Sequence, residues 1–235
     1  MSAHICLRKI TYMKISKRLQ KIALMVKFPT LADIGTDHAH LPVYLVRSGK
    51  LHKALATDIN PAPLARALDN IAAAGLSDYI KTRLCDGLDG VNPQEYETCV
   101  ISGMGGGLII DILRQNLGLA HDFKQIILSP QRDVADVRIF LHQNGFCVKD
   151  EDIIEEKDKF YNVLDIAAGS EVAYDEKGYI FGEKLLEKNS EVFKKFIAAE
   201  IKKTKNIIRG LTNQSTRKNE LERYLQLCLE VTECP

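Results

Sequence analysis

The first stretch of the chain whose residue types could do chemistry is LADIGTDHAHLP, residues 31–42. An apolar run ends there in Asp-Ile-Gly, and a second acid and two histidines follow where a loop turns into a predicted helix. Three readings are open: a metal centre built from His38, His40 and two aspartates, a nucleotide-binding turn, or a polar bend without a ligand. The metal centre is disfavoured because side chains at i and i+2 do not share a helix face and alternate sides in a strand. The remaining histidines and cysteines are also scattered, with no CxxC pair.

The glycine pattern of this turn discriminates between nucleotide ligands. A dinucleotide-binding turn has three glycines as GxGxxG, so that the pyrophosphate meets bare backbone amides at a helix start. Here a single glycine, Gly35, is followed by Thr36 and the carboxylate of Asp37, and Asp33 precedes it. Carboxylates repel a pyrophosphate but suit a ligand that carries an ammonium and a sulfonium group. The turn therefore favours S-adenosylmethionine.

Two further acids end the next two predicted strands. Asp58, in TDIN, comes 25 residues after Asp33, where a carboxylate can accept from both ribose hydroxyls. Asp86, in CDGL, can accept from an adenine amino group while Leu88 packs on the ring. A single Asp after a strand is often only a turn or helix cap. Acids at three successive strand ends instead predict one cofactor pocket.

A second glycine loop, SGMGGG at 102–107, follows the fourth predicted strand. Leu108 stands where a dinucleotide turn needs its third glycine, which argues against NAD. In a methyltransferase this loop lies beside the methyl group, and its glycines (Gly103, Gly105, Gly106 and Gly107) would leave a bare wall for a flat purine. The alternative is a glycine-rich helix start without a ligand. The candidate catalytic residues are Met104 in this loop and Asp37, whose carboxylate could stabilise a cationic product.

The chain also lacks two motifs of other methyl-transfer chemistries. It has no Asn/Asp-Pro-Pro-aromatic sequence, which exocyclic amine methylation commonly uses, and no Pro-Cys nucleophile for cytosine C5. A nucleophile that needs little activation remains, such as the ring N1 of adenine. Proximity and alignment can supply most of the rate for such a nucleophile.

These residues need a scaffold of alternating strands and helices. Apolar runs predict strands at 31–35, 53–58, 80–85, 98–102, 125–129, 146–154 and 161–168. Helical patterns separate the earlier runs, at 39–49, 61–74, 105–116 and 133–143, and an amphipathic helix at 15–26 precedes them. This alternation predicts a doubly wound α/β domain with a mostly parallel sheet, in which the last two strands form an antiparallel hairpin.

The pattern changes after residue 170. Leucine, isoleucine and phenylalanine recur at helical spacing from 179 to 211 and again from 221 to 229, with the polar segment TNQSTRKN between them. Two long helices folded back on each other as a coiled-coil hairpin explain this best. We therefore predict two parts: a cofactor-binding domain at 14–170 and a helical coiled-coil hairpin at 171–235. Residues 1–12 show no periodicity.

Composition bounds the class of protein. The 235 residues are 46% hydrophobic and 27% charged, with a net charge of +1, which is typical of a soluble globular protein. No apolar run approaches the roughly 20 residues of a membrane span, and the start of the chain lacks the apolar core of a signal peptide. Cysteines within or beside apolar runs, namely Cys85, Cys99 and Cys147, predict buried, reduced thiols. These features favour a cytoplasmic protein without membrane or metal, and a monomer.

A local charge imbalance lies between residues 192 and 218. Eight cations face one acid, Glu200, which gives +7 over 27 residues. The cations are Lys194, Lys195, Lys202, Lys203, Lys205, Arg209, Arg217 and Lys218. Such a cluster can neutralise the phosphates of a folded RNA, whereas the alternative is a solvated helix face.

Taken in order, LADIGTDHAHLP, TDINPAPLARALDNIAAAGL, CDGL, SGMGGGLI, ILSPQRDVADVRIFLHQNGF and EDIIEEKDKFYNVL closely resemble the bacterial tRNA (adenine-22-N1)-methyltransferase family, TrmK. The resemblance runs from about residue 14 to the end. It implies a class I methyltransferase fold with a C-terminal coiled-coil hairpin, and methyl transfer from S-adenosylmethionine to N1 of an adenine in the tRNA D-arm region. A methyltransferase acting on another RNA or on a small molecule is the alternative.

The resemblance also implies a set of site residues. The cofactor pocket would comprise Asp33, Gly35, Thr36, Asp37, His38, Leu41, Pro42, Asp58, Ile59, Asn60, Asp86, Gly87, Leu88, Gly103 and Met104. From the charge cluster we expect substrate RNA to contact Lys194, Lys195, Lys202, Lys203, Lys205 and Arg209, and from the loop after the fifth strand Pro130 and Gln131. The last two lie in SPQRD, where the family pattern leads one to expect a Gln-Pro-Asn type of sequence, and the leader MSAHICLRKITY is also foreign to it.

Overall fold

The predicted alternation forms a seven-stranded mixed sheet in the computed structural model, which describes residues 15–211 and 216–233. The strands are β1 (Thr30–Ile34), β2 (Lys53–Asp58), β3 (Ile80–Leu84), β4 (Thr98–Ser102), β5 (Gln125–Ser129), β6 (Phe146–Glu156) and β7 (Lys159–Ala168). Their order in the sheet is β3-β2-β1-β4-β5-β7-β6. β1 pairs in parallel with both β2 and β4, so the direction of winding reverses beside β1. Ligands of open α/β sheets bind at such a switch point, outside the carboxyl ends of the strands.

Helices cover both faces of this sheet. The described residues form α1 (Lys17–Met25), α2 (His40–Arg47), α3 (Pro61–Ala73), α4 (Gly106–Gln115), α5 (Leu117–His121), α6 (Val134–Gln143), a π-helical turn (Gly178–Gly182), α7 (Glu183–Lys188), α8 (Glu191–Gly210) and α9 (Thr216–Glu233). None of them is both long and apolar enough to cross a membrane. One core joins α4 and α6 to one face of the sheet, and a second joins α1, α2 and α3 to the other. Burial on both faces explains why the parallel strands read as continuous apolar runs.

Local sequence explains where several helices begin. The Ser16 hydroxyl accepts the Leu19 amide at the start of α1, and the Ser190 hydroxyl accepts the Phe193 amide at the start of α8. Pro61 opens α3, where its missing N–H costs nothing because the first amides of a helix have no partner within it. These starts fix the helices that flank the site.

A third cluster joins the C-terminal helices to the sheet. Phe193 and Ile197 of α8 and Leu227 of α9 pack with Ile153 of β6. A buried ion pair adds to this contact: Arg138 Nη2 of α6 donates to Glu151 Oε1 at 2.6 Å. The other terminal nitrogen of Arg138 donates to the carbonyls of Tyr179 and Ile180 in the π-helical turn. The C-terminal helices are therefore fastened to the outer strands.

The antiparallel hairpin predicted for the last two strands is confirmed, and β7 rather than β6 joins it to β5. One helix prediction was wrong. The apolar rhythm from 179 to 211 is not one helix, because Asn189 takes a left-handed conformation (φ 41°) and Ser190 then caps a new helix. The short helix α5 was not predicted. The leader 1–12 and the first half of the polar segment, 212–215, lie outside the described residues.

Candidate functional site

The loop after β1 is held in a tight coil by several left-handed residues. Gly35 has φ 68°, Asp37 φ 49° and Ala39 φ 53°. The Thr36 amide donates to the Thr57 carbonyl of β2 at 2.8 Å, which ties the loop to the neighbouring strand end. The turn brings the rings of His38 and His40 into a stack with centroids 5.1 Å apart. The expectation that these two side chains diverge was wrong, because it assumed helical or extended backbone at Ala39.

Asp33 is the buried acid of this loop. It is 6% exposed, and its carboxylate accepts a hydrogen bond from Thr36 Oγ1 at 2.6 Å. Burial raises the pKa of Asp33 to about 7, against the lowering effects of the Thr36 hydrogen bond and of the Arg18 charge. A bound cation would stabilise the ionised form, so Asp33 carries its full negative charge most readily when a cationic group lies beside it.

Asp37 is exposed, pairs with Arg66 and lies beside His38. Arg66 Nη2 of α3 donates to Asp37 Oδ1 at 2.5 Å, and His38 Nε2 lies 3.4 Å from Asp37 Oδ2. The Arg66 hydrogen bond lowers the pKa of Asp37, which keeps the carboxylate ionised. Its charge is shared with Arg66, so the predicted role in stabilising a cationic product would require a ligand to compete with that pair.

The second and third acids lie at the ends of adjacent strands. The Cys85 amide donates to the Asp58 carbonyl, which holds the end of β3 against the end of β2. Asp58 Oδ1 accepts the Asn60 amide at 2.8 Å, and its Oδ2 accepts no hydrogen bond from a described residue. Asp86, two residues after the end of β3, is exposed. Two carboxylates with acceptor capacity therefore border the same edge of the sheet.

The structure does not support the predicted contact of Leu88 with an adenine ring. Leu88 is fully buried in the core beneath α4, so its side chain faces the protein interior. The apolar side chains exposed near the two acids are instead Ile59 and Leu84. Ile59 was among the predicted cofactor residues and Leu84 was not.

The glycines of the loop after β4 are required for different structural reasons. Gly103 has a left-handed backbone, with φ 81°. The Met104 side chain packs directly on Gly35, so that a Cβ atom on residue 35 would collide with Met104. A Cβ at Gly106 would come within 2.7 Å of the carbonyl oxygens of Arg132 and Asp133, so Gly106 permits close packing of α4 on the loop before α6. Gly106 is therefore explained by helix packing, and not by the predicted contact of this glycine with a purine substrate.

A cavity of about 240 Å³ lies at the switch point between the ends of β1 and β4. Seven predicted site residues line it: Asp33, Gly35, Thr36, Asp37, His38, Leu41 and Gly103. Gln131, predicted to contact substrate, lines it as well, whereas Pro130 is buried. Pro42, Asp58, Ile59, Asn60, Asp86, Gly87, Leu88 and Met104 are not among its lining residues. The acids of β2 and β3 thus form a separate group beside it.

Sequence reasoning missed Arg18 and Ser102, which also line this cavity. Arg18 comes from α1, more than a dozen residues before the turn it faces. Nothing in the spacing of ISKRLQKIALMV distinguishes Arg18 from its basic neighbours on the polar side of the helix. The packing of α1 on β6, β7 and α2 brings it to the site.

The predicted RNA-contacting cations are exposed along α8. Three of them have ion-pair partners: Lys194 pairs with Glu191, Lys195 with Glu155 and Lys203 with Glu200. Lys202, Lys205 and Arg209 form no ion pair with any described residue. These three charges remain available to phosphates. Within the described ranges, no cluster of three or more His, Cys, Asp or Glu could hold a metal ion.

Known proteins resemble this chain over nearly its whole length. The TrmK family model, described as tRNA (adenine(22)-N(1))-methyltransferase, matches residues 31–231. The tRNA (adenine(22)-N(1))-methyltransferase of Bacillus subtilis strain 168 is 33% identical over 231 residues, which is 93% of this chain and 97% of the relative.

Solved structures agree in fold. A Streptococcus pneumoniae protein in complex with S-adenosyl-L-methionine superposes with a TM-score of 0.85 at 33% identity, covering 93% of this chain and 99% of that one. The TrmK of M. capricolum, in complex with S-adenosyl-homocysteine, gives 0.81 at 28% identity, covering 92% and 96%.

Proposed function

The chain belongs to the TrmK family of tRNA (adenine(22)-N(1))-methyltransferases, and from this premise we propose which of its residues bind the cofactor and the tRNA. The protein transfers a methyl group from S-adenosylmethionine to N1 of an adenine of tRNA. Because its substrate is tRNA, we assign its action to the cytoplasm. We also propose that the protein acts as a monomer.

The observation that supports the cofactor assignment best is the set of acids at the ends of three adjacent strands without a phosphate-binding glycine loop. Asp33 and Asp37 face the end of the pocket that would hold the cationic methionine part. Asp58 has a carboxylate oxygen without a described partner, which fits the hydroxyls of a ribose. Asp86 and the exposed Ile59 would hold the adenine. Buried Leu88 is left out of this pocket.

When bound, S-adenosylmethionine would supply an electrophilic methyl group: as the N1–C bond forms, the S–CH3 bond breaks, so the positive charge passes to the adenine and neutral S-adenosylhomocysteine is left. No proton has to leave N1, so the protein needs no general base there. Its residues instead have to bind, align and exclude water. Because Gly103 has no side chain, it would allow the adenine to approach the methyl group closely. Met104 packs on Gly35 and shapes the loop beside it.

We assign tRNA binding to the helical part, residues 171–235, as a coiled-coil hairpin of α8 and α9. The two helices pack on each other through a shared apolar cluster. The exposed cations of α8 without described ion pairs, Lys202, Lys205 and Arg209, suit the phosphates of a folded RNA.

The experiment for the proposed function is methyl transfer from labelled S-adenosylmethionine to tRNA transcripts, with mapping of the modified base. Label at N1 of one adenine in the D-arm region is the expected result. A transcript in which that adenosine is replaced by guanosine is the matched control and should accept no label. Label at another position, on another atom, or equal label on the control would refute the assignment.

A further inference from the structure

A second cavity, of about 850 Å³, opens between the sheet and the C-terminal helices. Its walls come from the loop before α6, from the start of β7, and from α8 and α9. Gln131 lines both this cavity and the smaller one at the end of β1, so the two cavities meet there. The larger cavity is therefore the space from which a tRNA base could reach the cofactor pocket.

Hydrogen bonds hold the segment of β7 that carries Tyr161 beside the ends of β4 and β5. The Gly103 amide donates to the Ser129 carbonyl at 3.1 Å, and the Ser129 hydroxyl donates to the Asn162 carbonyl at 2.9 Å. These bonds hold the ends of β4 and β5 and the adjacent part of β7 side by side. Tyr161, next to Asn162, lines the larger cavity and is only partly buried.

Tyr161 differs from the other aromatic residues of this cavity. Phe160 and Phe196 contact each other edge to face, and Tyr224 packs near Phe181. These rings belong to the apolar cluster that holds the C-terminal helices on β6. The ring of Tyr161 has no aromatic neighbour among the described residues. Its partner is a cation: Arg18 Cζ lies 5.3 Å from the ring centroid.

Arg18 lies between the two cavities. It lines the smaller one, and its Nη2 is 3.5 Å from the position that a Cβ at Gly103 would take. It therefore stands at the end of β4, where the target base would have to approach, and it covers the face of Tyr161. The Arg18 guanidinium therefore occupies the ring face of Tyr161 on which a purine base could otherwise stack.

We propose that Tyr161 is the platform on which the target adenine stacks, and that Arg18 leaves this ring face when the cofactor is bound. The methionine part of the cofactor carries a carboxylate, which is the anion that a guanidinium in this cavity would pair with. Cofactor binding would then expose the ring, so that the cofactor precedes tRNA. The proposal rests on the proposed function, because it assumes that an adenine is the substrate.

The sequence contains no tryptophan, so Tyr161→Trp would introduce a single reporter at this site. We expect S-adenosylhomocysteine to change the emission of this tryptophan, as Arg18 leaves it, and tRNA to quench it only after that addition. A tRNA with an abasic site at the target position should bind without quenching. Tyr79→Trp is the matched control, because Tyr79 is exposed at the amino end of β3, away from the site. Its emission should not respond.

Kinetics provide a second readout. Loss of one base-stacking contact in Tyr161→Leu should lower kcat/KM for tRNA by about tenfold or more, whereas Tyr161→Phe, which keeps the flat face, should retain activity. Thermal melting and the cofactor Kd of each variant establish that it is folded. Equal quenching by intact and abasic tRNA, no quenching at all, or wild-type kcat/KM in a folded Tyr161→Leu variant would overturn the proposal. If wild-type protein does not methylate N1 of adenine, the proposed function fails instead.

Discussion

Asp33→Asn tests whether a buried acid at the site costs the protein stability. The pKa of Asp33 is raised from 3.8 to about 7, chiefly by burial. Because the folded protein holds this proton more tightly than the unfolded chain, stability falls as pH rises through the window from about 4 to 7. This rise in pKa lowers the free energy of unfolding by roughly 4 kcal/mol above pH 7, at 1.36 kcal/mol per pKa unit. Roughly 2 to 3 kcal/mol of that loss falls between pH 5 and pH 8.

The asparagine variant keeps an oxygen that can accept from Thr36 but cannot ionise. Its extra amide hydrogens lack a described partner, which costs about 1–3 kcal/mol at every pH. The two effects separate because only the first depends on pH. Relative to wild type, the variant should therefore gain about 2 to 3 kcal/mol on going from pH 5 to pH 8, whatever its absolute stability.

Denaturant unfolding of both proteins at pH 5 and pH 8 measures this difference directly. At about 2–4 °C per kcal/mol for a chain of this size, the difference in Tm between the two proteins should change by roughly 5–10 °C over the same interval. Other titrating groups contribute equally to both proteins and cancel. Parallel pH profiles for wild type and variant would refute the argument, since they would mean that Asp33 ionises as easily in the folded as in the unfolded chain.

Three further changes test other parts of the structure. Asp58→Ala should weaken S-adenosylmethionine binding by more than about tenfold through loss of charge-assisted hydrogen bonds; unchanged affinity in calorimetry would exclude Asp58 from the pocket. Replacing Lys202, Lys203 and Lys205 together with Glu should weaken tRNA binding, and flatten its dependence on salt, without changing cofactor affinity. A titration that gives the wild-type salt slope would remove α8 from the RNA surface. Arg138→Met leaves Glu151 buried without its partner and should destabilise the fold by about 3–5 kcal/mol, whereas melting at the wild-type temperature would contradict the role of this pair.

The central strands β1, β4 and β5 were predictable because each is a short, almost fully buried apolar run, followed by a glycine or a proline. The segment EDIIEEKDKFYNVLDI contains the chain reversal that makes β6 and β7 antiparallel. The break before α8 was not predictable from apolar spacing, since Leu185 and Phe193 continue one rhythm across it. Asn189 and Ser190, a left-handed residue followed by an N-cap, were the available signal.

The site was less predictable than the sheet, because side-chain direction in a loop depends on backbone conformations that composition does not reveal. Left-handed Ala39 brings His38 and His40 together, although their spacing suggests divergence. Leu88 follows a strand end like a ligand-contacting residue but turns into the core. Arg18 reaches the site only through the packing of a distant helix, which no local pattern records.

The acids that suggested a cationic ligand do not all carry the same charge in the folded protein. Arg66 already shares the charge of Asp37, and burial keeps Asp33 partly protonated near neutral pH. A pocket built this way avoids the full cost of an unpaired buried carboxylate. The cation that binds beside Asp33 would complete its ionisation, so cofactor binding and proton release are coupled below about pH 7. The local negative charge is then greatest when the sulfonium compound is present, which is the electrostatic reason for such a pocket to select it over a pyrophosphate.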